Sequence, residues 1–231
     1  MNSVRTHLSS LRHLFYPHLC AGCGIDLFEP EIPICHDCLH DLPETCFEQM
    51  TDHPVKRLFE GRVRLEFTHA AYYFSKGKTI QRLMHQLKYK GNSEVGVVLG
   101  EQMGKKLCDV MLVQTIDYLI PMPLHPAKMK IRGYNQAERI AMGLGKTLQI
   151  EVMDDNLVRE RNTGTQTNKN RMERWLNVEH SFQIKNPHLL ESKHVMLIDD
   201  VLTTGASLEA CAQVIQKIGD VKISIATLAM A

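Results

Sequence analysis

Residues 195–207 read VMLIDDVLTTGAS, and this stretch decides the fold of the chain. Its apolar run, residues 195–198, is continuous rather than alternating, which is typical of a strand covered on both faces in a parallel sheet. Two adjacent carboxylates, Asp199 and Asp200, follow where this strand is expected to leave the core. A small polar loop and an apolar-periodic stretch come next, so the order predicts a strand, an acidic pair, a loop and a helix.

The loop after the acidic pair has the composition of a phosphate site. Small residues let the backbone N–H groups at a helix N-terminus surround an oxyanion, and the helix dipole favours the negative charge. Thr203, Thr204 and Ser207 add hydroxyl groups without bulk, and Gly205 permits a backbone conformation that other residues avoid. Because carboxylates repel a bare phosphate, the acidic pair predicts hydroxyl donors or hydrated Mg²⁺ beside it. A ligand with a phosphate at one end and a diol nearby is a sugar phosphate.

This segment resembles the 5-phosphoribosyl-1-pyrophosphate (PRPP) loop of type I phosphoribosyltransferases, in which apolar residues precede two acids and the pattern T-T-G-A/S-S/T. The resemblance implies an α/β fold with a parallel sheet flanked by helices. It also implies that the acidic pair faces the ribose hydroxyls and that residues 203–207 hold the 5′-phosphate. The residues of this segment expected to bind PRPP are Asp199, Asp200, Val201, Leu202, Thr203, Thr204, Gly205, Ala206 and Ser207. A buried strand before an ordinary helix is the alternative, but it leaves two carboxylates at the strand end unexplained.

Four of the seven cysteines form two CxxC pairs, Cys20 with Cys23 and Cys35 with Cys38. This spacing predicts a tetrahedral structural zinc site, and a closed four-thiolate site leaves no open coordination position for catalysis. A redox dithiol normally uses a single CxxC at a helix N-terminus, and disulfides are uncommon in cytoplasmic enzymes. His36 is an alternative zinc ligand, although an exposed histidine between the two cysteines is the simpler interpretation.

The length and net charge of the chain limit its domain organisation and its classes of partner. The 231 residues suffice for one sizeable core and a small accessory module, and we expect the zinc module in residues 1–50 and the phosphoribosyltransferase-like domain in residues 51–231. The formal net charge of +1 argues neither for nor against nucleic-acid binding.

No apolar run approaches the ~20 residues that span a bilayer, so we expect no stable membrane insertion and a cytoplasmic location. Apolar residues in the N-terminal segment recur at helical spacing and predict a short amphipathic helix that packs on the protein or touches a membrane surface.

Hydrophobic patterns outline the region before the main motif. Residues 62–74 look strand-like and predict a β-ribbon that joins the zinc module to the main domain. Helical spacing predicts one helix that ends near Gly91 and a second over residues 93–110; residues 118–120 predict a short buried strand. The alternating residues 221–230 predict a closing strand. Lys88 and Lys90, at the end of the first helix, are either a solvated helix end or a pair that faces an anion beside the active site.

A basic segment follows the P-M-P stop after the predicted buried strand. It contains Lys128, Lys130, Arg132 and Gly133, and Asn135 then caps a new helix. A basic loop between the carboxyl end of a strand and a helix N-terminus lies where open α/β sheets bind ligands. The guanidinium of Arg132 suits phosphate oxygens, so this loop is a candidate for holding pyrophosphate, the leaving group of PRPP chemistry. A solvated basic loop is the alternative.

The motifs K-Y-K-G, P-M-P-L-H-P and R-G-Y-N-Q-A-E, together with the four cysteines, resemble the ComF family of competence-associated proteins from about Cys20 to the end. The resemblance implies a phosphoribosyltransferase domain and a link to DNA uptake. It implies that residues 159–175 form a flexible hood over the site, in which Arg161, Gln166 and Arg171 match the family pattern. Trp175 is a candidate for base stacking or for a partly buried core position.

The sequence therefore predicts a PRPP- and Mg²⁺-binding phosphoribosyltransferase that displaces pyrophosphate from C1 of the ribose with an unidentified nitrogen acceptor. Such enzymes act through positioning and charge neutralisation. The PRPP-binding set includes Lys88, Lys90, Arg132 and Gly133 besides the loop, and we assign catalytic roles to Asp199, Asp200 and Arg132. The alternative is a non-catalytic protein that handles single-stranded DNA, contacts the competence machinery or senses PRPP. Against a stacking platform for single strands, aromatic residues make up only 6% of the chain.

Overall fold

A parallel β-sheet forms the centre of this protein, whose computed structural model describes residues 17–27, 29, 31–159 and 182–231. The strands, in chain order, are β1 (Phe67–Tyr73), β2 (Tyr118–Pro121), β3 (Glu151–Val152), β4 (Leu157–Arg159), β5 (Phe182–Ile184), β6 (His194–Leu202) and β7 (Lys222–Met230). The central sheet has the order β1-β7-β6-β2-β3, and its neighbouring strands all pair in parallel. Strands β4 and β5 form a separate antiparallel pair.

Helices cover both faces of the sheet. They are α1 (His36–His40), α2 (Pro54–Phe59), α3 (Thr79–Tyr89), α4 (Glu94–Leu107), α5 (Pro126–Arg132), α6 (Gln136–Leu148) and α7 (Ala206–Gln216). Short 3₁₀ helices occur at Phe47–Gln49, Val113–Thr115 and Pro187–Leu189. The predicted α/β class, a parallel sheet flanked by helices, is confirmed.

The apolar run before the acidic pair packs on both sides of the sheet. Met196 and Ile198 lie in the hydrophobic cluster with α3, α4 and α6, whereas Val195 and Leu197 lie in the cluster with α2 and α7. All four side chains are fully buried. This two-sided burial explains why the run is continuously apolar rather than alternating.

The N-terminal cysteine segment packs against α3. Cys38 belongs to the same buried cluster as residues of α3, and the guanidinium Nε of Arg82 donates to the carbonyl of Gly22. Residues 43–45 then cover the free edge of β1: the N–H of Thr45 donates to Ala71 at 3.1 Å, and the N–H of Tyr73 donates to Pro43 at 2.8 Å. The predicted N-terminal amphipathic helix lies outside the described residues.

Three expectations about the strands and loops are corrected. Residues 62–74 do not form a separate β-ribbon, because β1 is an edge strand of the main sheet and pairs in parallel with β7. The predicted last strand is present as β7, but it lies between β1 and β6 and is buried on both faces instead of alternating. The basic segment is not a loop but helix α5. This helix begins at Pro126 and has His125 as its N-cap, whose side chain accepts a hydrogen bond from the N–H of Ala127. A proline at the first helical position explains this start.

Other boundaries agree with the sequence pattern. Helix α3 ends before Gly91, and α6 is capped by Asn135, whose side-chain oxygen accepts from the N–H of Ala137 at 3.1 Å. Strand β6 is longer than expected, since its ladder with β7 continues through Leu202. The acidic pair therefore lies within the paired part of β6, near its carboxyl end, rather than beyond the strand.

Candidate active site

The acidic pair lies at the carboxyl end of β6, beyond the end of its neighbour β2. The last paired residues of these two strands are Pro121 and Ile198, whereas β6 continues beside β7 to Leu202. Asp199 and Asp200 thus occupy the crevice at the carboxyl ends of the parallel strands, which is where open α/β sheets bind ligands.

The two carboxylates have different surroundings. The Nζ atom of Lys88, at the end of α3, lies 3.0 Å from Oδ1 and 2.9 Å from Oδ2 of Asp200. Burial, and then the neighbouring charge of Asp200, raises the pKa of Asp199 to about 7. The backbone N–H of Asp200 donates to Oδ1 of Asp199 at 2.8 Å and partly opposes this shift. The pair therefore combines an ion-paired carboxylate with one that exchanges its proton near neutral pH.

The loop after β6 exposes the N-terminus of α7. Gly205 has φ 74° and lies against the ring of Phe59, where an added Cβ would be 2.9 Å from the ring atoms. A side chain at this position is therefore excluded both by the left-handed backbone and by the close contact. In the described part of the chain no side chain caps α7, and Thr203, Thr204 and Ser207 are exposed. Free N–H groups and hydroxyls in this arrangement suit an oxyanion.

Basic residues from α3 and α5 line the same cleft, which has a volume of about 190 Å³. Lys88, Lys128 and Arg132 line it together with the acidic pair and Ser207. The guanidinium of Arg132 donates to Oε1 of Gln136, and its Cζ lies 5.4 Å from the centre of the Tyr89 ring. These contacts orient the guanidinium, and the cleft therefore holds both cations and carboxylates.

The four predicted zinc ligands converge at the other end of α3. The Sγ atoms of Cys20, Cys23, Cys35 and Cys38 all lie within 4.8 Å of one another, and those of Cys23 and Cys35 are 3.7 Å apart. Four thiolates around one zinc ion at about 2.3 Å place their sulfur atoms about 3.8 Å apart. The backbone N–H of Cys35 also donates to the sulfur of Cys20 at 3.2 Å. The cluster fits a tetrahedral zinc ion.

Comparisons with known proteins agree with this geometry. Residues 131–231 match the family described as phosphoribosyl transferase domain. The DNA utilization protein YhgH of Escherichia coli O157:H7 is 25% identical over 210 residues, covering 90% of this chain and 82% of that protein. Competence protein F of Haemophilus influenzae is 26% identical over 213 residues, covering 92% of this chain and 84% of that protein. Over most of its length, this chain is similar to proteins named for DNA utilization and competence.

A third relative, competence protein ComFC of Streptococcus pneumoniae, is 35% identical over 105 residues, which cover 45% of this chain and 44% of that protein. The resemblance to the ComF family and the presence of a phosphoribosyltransferase-type domain are therefore confirmed. Within the described residues, no helix has both the length and the apolar character that crossing a membrane requires.

Not every residue predicted from the ComF and PRPP-loop patterns lines the cleft. The side chains of Val201 and Leu202 pack in the hydrophobic clusters on the two faces of the sheet, so only their backbone is available to a ligand. Lys90 is exposed at the C-cap of α3, and Gly133 is the C-cap of α5 with φ 80°. Arg161, Gln166, Arg171 and Trp175, the residues named in the predicted hood, lie outside the described residues.

Sequence reasoning did not assign several residues that line this cleft. Lys128 was seen only as part of a basic segment, and Asn135 only as a helix cap, although Asn135 also donates to the carbonyl of Met122 at 2.9 Å. Gln136 and Arg159 also line the cleft. For Gln136, the sequence did contain a signal, because this residue directly follows the helix cap Asn135. Arg159, at the end of β4, is the first residue of the segment that the family resemblance places over the site, although no specific role was assigned to it.

Proposed function

We propose that this protein binds PRPP and Mg²⁺ and transfers the phosphoribosyl group to a nitrogen acceptor, releasing pyrophosphate. The observation that carries the proposal is the meeting of three groups in one cleft: the acidic pair Asp199 and Asp200, the N-terminal turn of α7 with Ser207, and the cations of α3 and α5. A phosphorylated sugar with a diol and a pyrophosphate offers one complementary partner to each group. The phosphoribosyl transferase family match over residues 131–231 supports the same reading.

Each group has a role that follows from its chemistry. Carboxylate oxygens accept hydrogen bonds from the ribose hydroxyls, and free N–H groups of α7 donate to the 5′-phosphate. Lys88, Lys128 and Arg132 neutralise charge that develops on the departing pyrophosphate. Asp199 and Asp200 offer the hard oxygen ligands that Mg²⁺ prefers, and a bound Mg²⁺ would add positive charge beside the pyrophosphate. No side chain is required to act as a nucleophile, because the acceptor attacks C1 directly.

The predicted hood residues Arg161, Gln166 and Arg171 complete the proposal. They belong to the segment between β4 and β5, and these two strands pair with each other. Arg159, at the end of β4 and directly before this segment in the sequence, lines the cleft. Closure of such a segment would exclude water from a ribosyl centre that is otherwise hydrolysed. The acceptor is expected to be selected by this segment and by the walls of the cleft.

The decisive experiment is incubation with PRPP, Mg²⁺ and a panel of nitrogen bases and amines, with pyrophosphate release as the readout. Titration calorimetry with PRPP and Mg²⁺ tests the binding step separately. We expect the double substitution Asp199→Asn with Asp200→Asn to abolish PRPP binding. Asp155→Asn is the matched control, because Asp155 is exposed and does not line the cleft. Unchanged PRPP affinity in the double variant would refute the site.

The cysteine cluster completes the proposed organisation. We infer that it holds one structural zinc ion in a module formed by residues 1–50, and that residues 51–231 form the PRPP-binding domain. The four converging sulfur atoms support this metal assignment. A cytoplasmic location, in which thiols remain reduced, belongs to the same proposal.

A second candidate is a non-catalytic protein that handles single-stranded DNA or senses PRPP. The relatives named DNA utilization protein and competence protein F favour it. On this chain, Tyr89 is 66% exposed and lies beside Arg132, which lines the cleft, and it is next in sequence to the exposed Lys90. An exposed ring with flanking cations suits a stacked base. A gel-shift assay with short single-stranded DNA across a salt series tests this role; no binding even at low ionic strength would exclude its direct form.

A further inference from the structure

Helix α3 connects the region of the cysteine cluster with the cleft of the acidic pair. Its first turn contacts the segment that carries the cysteines, and its last turn carries Lys88, whose ammonium group pairs with Asp200. Lys88 follows Arg82, in the first turn, by six positions, which corresponds to about 9 Å along a helix axis. Because a helix this short behaves as one rigid element, a displacement at one end moves the other end as well.

The core fixes which face of α3 points inward. Four apolar side chains on that face are buried: Ile80, Leu83, Met84 and Leu87. Hydrophobic burial is non-directional, whereas a hydrogen bond requires a defined distance and angle. Polar contacts at the two ends of α3 therefore define its position along its axis more sharply than the core does.

Two hydrogen bonds connect the first turn of α3 to two different parts of the cysteine segment. The guanidinium Nε of Arg82 donates at 2.5 Å to the carbonyl of Gly22, which lies between the first two cysteines. The hydroxyl of Thr79 donates at 3.1 Å to Oδ2 of Asp41, the residue that ends α1 after the second two. A second guanidinium nitrogen of Arg82 donates to the hydroxyl of Thr79 at 3.1 Å and links the two contacts. The charged donor makes the bond to Gly22 stronger than one between neutral groups.

The backbone at Gly22 is itself held close to both the cluster and the helix. A Cβ atom added at this position would lie 2.7 Å from Sγ of Cys38 and 3.2 Å from Cγ2 of Thr79. The N–H of Gly22 also donates to Sγ of Cys20 at 3.4 Å. The carbonyl that accepts from Arg82 is therefore fixed by the cysteine cluster.

The contact at the other end of α3 tolerates little displacement. The Nζ atom of Lys88 lies 2.9 and 3.0 Å from the two carboxylate oxygens of Asp200, and the hydroxyl of Tyr134 donates at 2.5 Å to the carbonyl of Leu87. A shift of about 1 Å along the helix axis lengthens such contacts beyond hydrogen-bond distance. Misplacement on this scale is enough to impair a site that works by positioning.

We propose that Arg82 is a positioning residue of the cleft: it fixes α3 against the cysteine segment so that Lys88 meets Asp200 and the pyrophosphate of the ligand. Thr79 supports the same position through Asp41. The identity of the ligand rests on the proposed PRPP-binding function, whereas the placement of Lys88 beside Asp200 does not. The cysteine segment thus contributes to the site, although none of its described residues lines the cleft.

The test measures the binding of PRPP with Mg²⁺ by calorimetry in the full chain. Arg82→Gln removes the bond to Gly22, and Thr79→Val removes the bond to Asp41 without changing charge and with little change in volume. Each should weaken PRPP binding by about three- to tenfold, as expected for substitutions that modulate a site without touching its ligand. In a Lys88→Gln background neither should change the affinity by more than about twofold, because the group that they position is absent.

Arg64→Gln is the matched control for Arg82→Gln, since it removes the same charge. Arg64 is exposed, lies 3.8 Å from Glu66 and does not line the cleft. Its substitution should leave PRPP affinity within about twofold, as expected for a solvated charge. Amide spectra and melting temperatures check that each variant retains the fold, and Thr79→Val carries the test if Arg82→Gln does not.

A second readout needs no ligand. The ¹H–¹⁵N resonance of the Lys88 ammonium group, assigned by its loss in Lys88→Gln, should shift in Arg82→Gln and Thr79→Val and stay in place in Arg64→Gln. Failure of the wild type to bind PRPP would refute the proposed function, and the Lys88 resonance would still test the positioning. An unchanged Lys88 resonance in both variants, or equal weakening of PRPP binding with and without Lys88, would overturn the role of Arg82.

Discussion

The ammonium group of Lys88 bridges both carboxylate oxygens of Asp200 at 2.9 and 3.0 Å, although the two residues lie 112 positions apart in the chain. The end of α3 is held in place for this contact, since the hydroxyl of Tyr134 donates to the carbonyl of Leu87. Both side chains of this ion pair are less than one quarter exposed, and burial together with the charge of Asp200 raises the pKa of the neighbouring Asp199. The acidic pair is therefore electrostatically asymmetric before any ligand binds.

The first prediction concerns the influence of Lys88 on Asp199. The Lys88 charge lowers the pKa of Asp199, against the larger effects of burial and of Asp200. Lys88→Gln should therefore raise the pKa of Asp199 further above about 7, which a ¹³C titration of the aspartate carboxyl resonances measures. Lys90→Gln is the control, because Lys90 is exposed at the end of the same helix. If the Asp199 pKa responds equally to both substitutions, the effect is one of net charge and not of the ion pair.

The second prediction concerns the pH dependence of stability. Because the folded-state pKa of Asp199 is about 7 and the ordinary value is 3.8, the folded state binds the proton more tightly than the unfolded state between these values. The contribution of Asp199 to stability is thus fully present below pH 3.8 and is lost as pH rises to about 7. At most, about 4 kcal/mol is involved.

Asp199→Asn removes this titration, so urea unfolding should show the variant gaining stability relative to the wild type between pH 4 and pH 8. Other groups complicate the absolute curves, since burial lowers the pKa values of His53, His69 and His194 and opposes the trend. These histidines are present in both proteins, and the difference between the two curves isolates Asp199. A difference that is independent of pH would contradict the raised pKa.

The central part of this fold was predictable because each local signal was strong. The continuous apolar run of residues 195–198 predicts a strand covered on both faces, and the four cysteines with close sequence spacing predict the metal cluster. In both cases the residues that act together are neighbours in sequence. Spacing alone then determines their geometry.

The missed features depend on contacts between distant segments. No local pattern indicates that residues 67–73 add to the edge of the sheet beside the last strand, because the parallel pairing joins residues more than 150 positions apart. The pairing of Lys88 with Asp200 is likewise a product of topology. For α5, the sequence did contain the signal: Pro126 at the first helical position was available, but the lysines favoured a loop interpretation.

The third prediction tests the contact between α4 and α6, which supports the sheet beneath the site. A Cβ atom added at Gly100 would lie 2.1 Å from the carbonyl oxygen of Ile140, which belongs to the backbone of the other helix. Gly100→Ala therefore forces the helices apart, and overpacking of this kind costs about 1–3 kcal/mol. For a chain of this size, we expect a fall in melting temperature of about 2–4 °C per kcal/mol.

Lys105→Ala on the same helix is the control for this prediction, since Lys105 is exposed and its replacement by alanine adds no atom to the helix contact. Its melting temperature should change little. Helix propensity alone favours alanine over glycine by about 1 kcal/mol, so it acts against the expected loss. A stabilised Gly100→Ala protein would therefore show that the backbone approach is looser than 2.1 Å implies.

The fourth prediction concerns the cysteine cluster and α3. We expect one equivalent of zinc per chain by elemental analysis, and Cys23→Ser should lower this value because a structural site requires all four thiolates. The melting temperature should fall with the metal content, since Cys38 lies in the buried cluster with α3 and Arg82 of that helix donates to the carbonyl of Gly22. Cys108→Ser, at an exposed cysteine outside the cluster, should leave both values unchanged. Full zinc content in the Cys23→Ser protein would show that this thiol is not a ligand.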